Sequence, residues 1–227
     1  MRVLRQLVWG ALASLLLVGL VPTTVQAEGN RARAAVTCPT DGRTRGTNTA
    51  PNPPLETYFL GDWRLGPDKL PKTGAIGDML KDYRREGDTG STYWFLGCYW
   101  QTDPVAGTSG WWYPDHDGFA LDSKGQPIEK PLVLHVGQKV DLFGSGRGNF
   151  LAPAGTPYAK RAIPPSNLDE FDTAYPQSYH LYKVTKDFTV QAGPIRPWFG
   201  QPGLGLQYMT ADRIPALITA GDLEALN

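Results

Sequence analysis

Chemistry-bearing side chains are scarce in this chain of 227 residues, which has three histidines and two cysteines. No H-E-x-x-H, Cys/His cluster or G-x-S-x-G occurs, which argues against zinc hydrolysis and a serine nucleophile. Asp115, His116 and Asp117 in "YPDHDGF" are adjacent in a turn, where a solvated loop is favoured over a metal site, and no metal is expected. A dinucleotide fingerprint is also missing. "VDLFGSGRGNFLAPAGTP" spaces Gly144, Gly146 and Gly148 as G-x-G-x-G, no helix can follow through "NFLAPAG", and no Gly-Lys-Ser/Thr makes a P-loop. A turn between two strands is the better local reading. Net charge is absent as well, at +0, and losing Arg2 and Arg5 with a leader would leave the chain slightly acidic. That is no footprint for nucleic acid. The basic residues Arg31, Arg33, Arg43 and Arg45 lie in a polar Pro/Gly/Thr-rich stretch that reads as a tether.

Long hydrophobic runs are limited to Leu7–Val21, shorter than the roughly 20 residues of a spanning helix. With Arg2 and Arg5 before it and "VQA" ending at Ala27 after it, residues 1–27 read as a signal peptide. The mature protein is therefore expected to be secreted, with no membrane association after cleavage. Its length of about 200 residues suffices for one core with a smaller appendage. Cys38 and Cys98 both survive into an oxidising compartment, where a disulfide between them is the expected arrangement. Free or intermolecular thiols are the alternative.

Composition divides the rest. Residues 28–54 are the tether, and 55–110 form an aromatic-rich N-terminal subdomain whose one good helix candidate is "IGDMLKDYRRE", with Ile76, Met79, Leu80 and Tyr83 at helical spacing. From Trp111 onward the segments "PLVLHVGQKVDLFG", "SYHLYKVTKDFTVQAG" and "GLQYMT" read as strands; His135 falls inside the first, as a structural histidine. A last helix is expected in "TADRIPALITAGDLEAL", with Thr210 or Asp212 as N-cap and a stop at Gly221. The fold class is α+β, a mainly antiparallel core with short helices.

At "WWYPDHDGFALD", "APAGTPYAKRAIPPSNL" and "SYHLYKVTKDFTVQAGPIRPWFGQPGLGLQYM" the chain resembles the NAD glycohydrolases of the tuberculosis-necrotizing-toxin type, including secreted fungal surface enzymes. The resemblance covers about Trp112–Leu226, making 111–227 the core domain. It implies a compact, strongly bent antiparallel sheet with a cleft walled by aromatics. NAD is the expected substrate, with no further cofactor, and nicotinamide the leaving group.

Carried over by residue, Gln207 matches a glutamine at the reacting ribose and nicotinamide, and Arg161 an arginine at the pyrophosphate. His180 matches a histidine used by bacterial toxins, although it could equally be structural. Phe143, Phe150, Trp198 and Phe199 match aromatic positions around the cleft. Leu142 departs from the pattern, because the family usually has an active-site arginine there. Arg147, in the glycine loop, either compensates or is solvent-exposed.

An apolar Leu142 favours a drier cleft and hence an ADP-ribosyl cyclase, in which an adenine nitrogen attacks the ribose in place of water. The alternatives are a catalytically degenerate NAD-binding module and an interaction module that dimerises through the aromatic segment Tyr93–Tyr113. A proteinaceous inhibitor is a further candidate partner, since toxins of this type are usually encoded beside an antidote. Fungal members can carry an acidic C-terminal extension associated with calcium; with Asn227 directly after the last helix, that ion site is not expected.

Overall fold

The pattern of short β-branched segments builds a seven-stranded antiparallel sheet in a computed structural model that describes Cys38 and residues 57–103, 108–170 and 172–227. The stretches read as a signal peptide and, apart from Cys38, as a tether lie outside the described residues. Among the described residues no helix is long and apolar enough to cross a membrane. The strands are β3 (Lys130–Leu134), β4 (Lys139–Phe143), β5 (Phe150–Pro153), β6 (Tyr179–Val184), β7 (Phe188–Pro194), β8 (Leu206–Met209) and β9 (Leu223–Ala225). Their order is β3-β7-β8-β5-β4-β6-β9. A separate hairpin joins β1 (Trp100–Asp103) to β2 (Thr108–Trp111).

Strand β5 makes the bend. Its first half pairs with β8, Phe150 opposite Met209 and Leu151 opposite Tyr208, while its second half pairs with β4, Val140 opposite Pro153 and Asp141 opposite Ala152. A strand that changes partners midway turns the ladder through a corner. The turn after β3 crosses the same corner, so β3 and β4 are sequential but not neighbours. His135 lies in that turn, one residue past the strand, where its Nδ1 meets Asp187 Oδ2 at 2.8 Å in an exposed pair.

Alternation along each strand sends every second residue to one apolar cluster: Leu134, Val140, Leu142, Leu151, Tyr182, Val184, Val190, Ala192, Tyr208 and Leu223. Helix α3 (Ile214–Ala220) closes it with Ile214 and Leu217. Gly221 ends α3 in the left-handed conformation, as expected, and donates to the carbonyls of Leu217 and Ile218. The N-cap differs from expectation. Arg213 occupies it, because the Thr210 hydroxyl is committed to the Asn149 and Asp212 carbonyls.

The N-terminal segment packs elsewhere on the sheet. Helix α1 (Gly74–Leu80) overlaps only the first part of the expected stretch, starting two residues before Ile76 and ending before Tyr83, and brings Met79 and Leu80 to a second cluster with Phe143, Tyr158, Leu168 and Tyr179. Helix α2 (Thr92–Tyr99) was not legible: Phe95–Tyr99 are all buried, so the segment is apolar all round and carries no helical period. It anchors an aromatic cluster with Trp100, Trp112, Trp198 and Phe199, in which Tyr99 and Phe199 meet at 5.2 Å and Trp198 Nε1 donates to the Trp112 carbonyl at 2.6 Å. This cluster draws on both sides of residue 110.

Cys38 and Cys98 form a disulfide across a separation of 60 residues, fastening the chain to the end of α2. Replacing both by alanine is expected to lower unfolding free energy by up to roughly 4 kcal/mol through release of loop entropy. Urea melts of the double variant against the oxidised protein measure this, and an unchanged midpoint would contradict it.

Candidate functional site

Where β5 turns, the sheet opens a pocket of about 600 Å³. One wall is β4 and β5, through Asp141, Phe143, Phe150 and Ala152. A second is the glycine loop from Gly144 to Gly148. The third is the loop Tyr113–Gly118, backed by Ile195, Arg196 and Gln207 at the ends of β7 and β8. The floor comes from Arg161, Ala162, Ile163 and Asn167.

Behind the first wall lies a buried ion pair. Asp141 is 0 % exposed; its Oδ1 forms an ion pair with Arg161 Nη2 at 2.6 Å, and its Oδ2 accepts from the Gly155 N–H at 2.8 Å and the Tyr179 hydroxyl at 3.0 Å. Burial pushes the Asp141 carboxyl up from its usual range, and Arg161, Gly155 and Tyr179 oppose that rise by favouring the anion. Arg161 is nearly as buried. Its Nε donates to the Thr156 carbonyl at 3.0 Å, Nη2 also faces Met79 Sδ, and the guanidinium lies 5.1 Å over the Phe143 ring.

The glycine loop is shaped by contact as well as by dihedral angle. Gly144 has φ +127°, and a Cβ there would come 2.9 Å from Asn167 Nδ2, which donates to the Phe143 carbonyl. Gly146 has φ +70°, and a Cβ would meet the His180 ring at 2.9 Å. His180 Nε2 lies 3.0 Å from the Gly144 carbonyl, and Tyr175 packs on the ring at 4.1 Å between centroids. Burial lowers the His180 pKa, so the neutral imidazole is favoured.

The opposite loop holds three successive left-handed residues, His116, Asp117 and Gly118, at φ +57°, +52° and +78°. Two bonds fix it. Gln207 Nε2 donates to the Asp117 carbonyl at 2.8 Å, and the Arg196 N–H donates to the Gly118 carbonyl at 2.8 Å. Gln207 is thereby oriented by a backbone acceptor, with its Oε1 left to accept from a ligand.

Of the residues singled out by sequence, Gln207, Arg161, Leu142, Phe143 and Phe150 line the pocket. Leu142 does so with only 8 % exposure, on the strand face opposite Asp141 and Phe143. Trp198, Phe199 and His180 are buried and do not line it, and Arg147 is exposed outside it. Sequence reasoning missed Arg196, Asn167 and the role of Asp141. It also set the Tyr113–Gly118 loop aside as a solvated turn, although its run of Asp, His and Gly is the composition that tolerates left-handed backbone. Among the described residues no three His, Cys, Asp or Glu side chains gather where a metal ion could be held.

The family model described as Tuberculosis necrotizing toxin matches residues 133–226. The conidial surface nicotinamide adenine dinucleotide glycohydrolase nadA of Aspergillus fumigatus is 48% identical over 172 residues, 76% of this chain and 72% of that protein. Among solved structures, tuberculosis necrotizing toxin complexed with its immunity factor is similar at 17% identity and a TM-score of 0.46, over 59% of this chain and 70% of that one. Rhs1-CT in complex with its cognate immunity protein is similar at 16% identity and a TM-score of 0.30, over 44% and 77%.

Two predictions follow from the buried charges. Asp141→Asn leaves the Arg161 guanidinium without its counterion and is expected to cost about 3–5 kcal/mol in chemical unfolding; a loss under about 1 kcal/mol would contradict the pairing. Asp169, just past the turn that carries Asn167, is 1 % exposed, and neither carboxyl oxygen has a hydrogen-bond partner among the described residues. Burial raises its pKa from 3.8 to about 8, with Arg85 opposing and Asp62 adding to the rise. The folded state then holds a proton that the unfolded chain releases. Its stabilising contribution is therefore full below about pH 4 and lost as pH rises towards 8. Asp169→Asn is expected to flatten the pH dependence of unfolding over that window and to be more stable than the parent at pH 8.

Proposed function

Because the chain belongs to the tuberculosis necrotizing toxin family, we propose that its pocket binds NAD and cleaves the bond between nicotinamide and ribose. The observation that carries this reading is 48% identity to a relative named as an NAD glycohydrolase. The pocket supports it, since about 600 Å³ falls in the range of roughly 300–1,000 Å³ typical of small-molecule and cofactor sites. The leader read in residues 1–27 makes the enzyme a secreted one, with residues 55–110 a subdomain packed against the core domain 111–227.

Nicotinamide leaves as a neutral molecule from a cationic pyridinium, so the C1–N bond can break without a general acid. The protein must instead hold the ribose, stabilise its oxocarbenium-like transition state and govern which nucleophile reaches C1. Gln207, held through Nε2 by the Asp117 carbonyl, offers Oε1 to a ribose hydroxyl or to the carboxamide. Asp117 on the same loop provides negative potential for the pyridinium end. Phe143 and Phe150 offer ring faces for stacking. His180, neutral and beneath Gly146, acts on the substrate only through the loop it supports.

Water attacking C1 gives ADP-ribose and a proton; an adenine nitrogen of a folded substrate gives the cyclic product and a proton. The second outcome is the finer reading. Leu142, Leu151, Ile163 and Ile195 line the pocket with apolar atoms, and a dry wall disfavours an ordered attacking water.

Incubating the protein with NAD and separating the products tests both levels. Nicotinamide release is expected, with a cyclic ADP-ribose among the products. ADP-ribose alone from the first time point would remove cyclisation, and a raised melting temperature with no nicotinamide would indicate binding without turnover. Gln207→Ala is expected to lower kcat by about a hundredfold or more; unchanged turnover would overturn its role.

A further inference from the structure

A substrate with a pyrophosphate needs a cation, and two arginines line the pocket: Arg161 and Arg196. They are not equivalent. Arg161 faces the Asp141 carboxylate at 2.6 Å, and its Nε and Nη2 are taken by Thr156, Asp141 and Met79. Its charge is balanced by a buried anion, and only Nη1 makes no hydrogen bond among the described residues. Arg196 is half-buried, and its guanidinium lies 5.2 Å over the Trp198 ring without a carboxylate partner among the described residues. Stacking holds the plane of a guanidinium while leaving its edge donors free, which suits bidentate contact with phosphate oxygens.

Its position also fits. The Arg196 N–H is bonded to the Gly118 carbonyl, next to the Asp117 carbonyl that orients Gln207. A ligand whose nicotinamide and ribose meet Gln207 would therefore bring the adjoining phosphates towards Arg196. Asp117 on the same loop carries a charge of the opposite sign, which suits the pyridinium better than a phosphate.

We propose that Arg196, anchored on Trp198, is the pyrophosphate-binding residue of this pocket, and that Arg161 is a structural partner of Asp141. The proposal rests on the NAD reading above, and its test separates the two. ADP binding is measured by calorimetry for the parent, Arg196→Gln and Arg196→Lys, and kinetics are measured on NAD and on nicotinamide riboside, which has no phosphate. Melting temperatures of the variants check that they are folded.

Arg196→Gln is expected to raise the KM for NAD about tenfold or more and to weaken ADP binding by a similar factor, with kcat within about twofold. Arg196→Lys is expected to recover part of both, and nicotinamide riboside to be processed equally by all three proteins. Unchanged KM and ADP affinity in Arg196→Gln would overturn the proposal, as would an equal loss on nicotinamide riboside. If the parent cleaves neither substrate the NAD reading fails, while weaker ADP binding by Arg196→Gln still upholds the phosphate site and unchanged binding refutes it.

Discussion

Asp141 is a carboxylate with no access to water, and the interior of the protein around the pocket is arranged to accommodate it. Desolvating an anion is costly unless charge and hydrogen bonds replace the lost hydration. Arg161 supplies the charge, and Gly155 and Tyr179 supply hydrogen bonds from the loop after β5 and from β6. The three partners come from parts of the chain 14 to 38 residues away. One buried charge thus fixes β4, β6 and the 155–161 segment relative to one another, and the Phe143 ring under Arg161 inherits its place from that arrangement.

The bend at β5 and this ion pair work together. Ala152 opposes Asp141 in the ladder, so the corner of the sheet falls beside the buried pair, and the pocket opens where β5 leaves β4 for β8. The glycine loop begins directly after β4 and is held from two sides, by Asn167 and by His180. The facing loop is held by Gln207 and Arg196. Each wall is fastened by a bond from a residue on a different strand, so the pocket is shaped largely before a ligand arrives.

Much of the local structure was legible in the sequence, and the failures have particular physical causes. The strand segments, helix α1 and the glycine stop of α3 follow from alternation, spacing and the left-handed tolerance of Gly221. Helix α2 was hidden because Phe95 to Tyr99 are buried on every side, which erases periodicity. The strand order was hidden because consecutive strands β3 and β4 do not pair, and no local signal marks a chain crossing a corner. At the site, Gln207, Phe143 and Phe150 could be singled out through the resemblance. Asp141 could not, because a buried carboxylate differs from a surface one only through partners distant in sequence. Trp198 and Phe199 read as cleft residues but belong to the aromatic cluster, where the Trp198 indole finds its acceptor in the Trp112 carbonyl.

Leu142 has its explanation in the same alternation. Asp141 and Phe143 face the ion pair, so residue 142 faces the large apolar cluster, between Val140 and the ladder partner His180. Leucine there gains from burial, whereas a cation would have to extend its charge out of the cluster to the pocket edge. With Lys139, the other charged residue of β4, outside the pocket lining and Arg161 balanced by Asp141, the first wall of the pocket is electrostatically quiet. Across the pocket Arg196 rests on an aromatic ring and has no carboxylate partner among the described residues. On the proposed reading, an anionic group would meet Arg196 on that wall, and the β4 wall would be left for the rings.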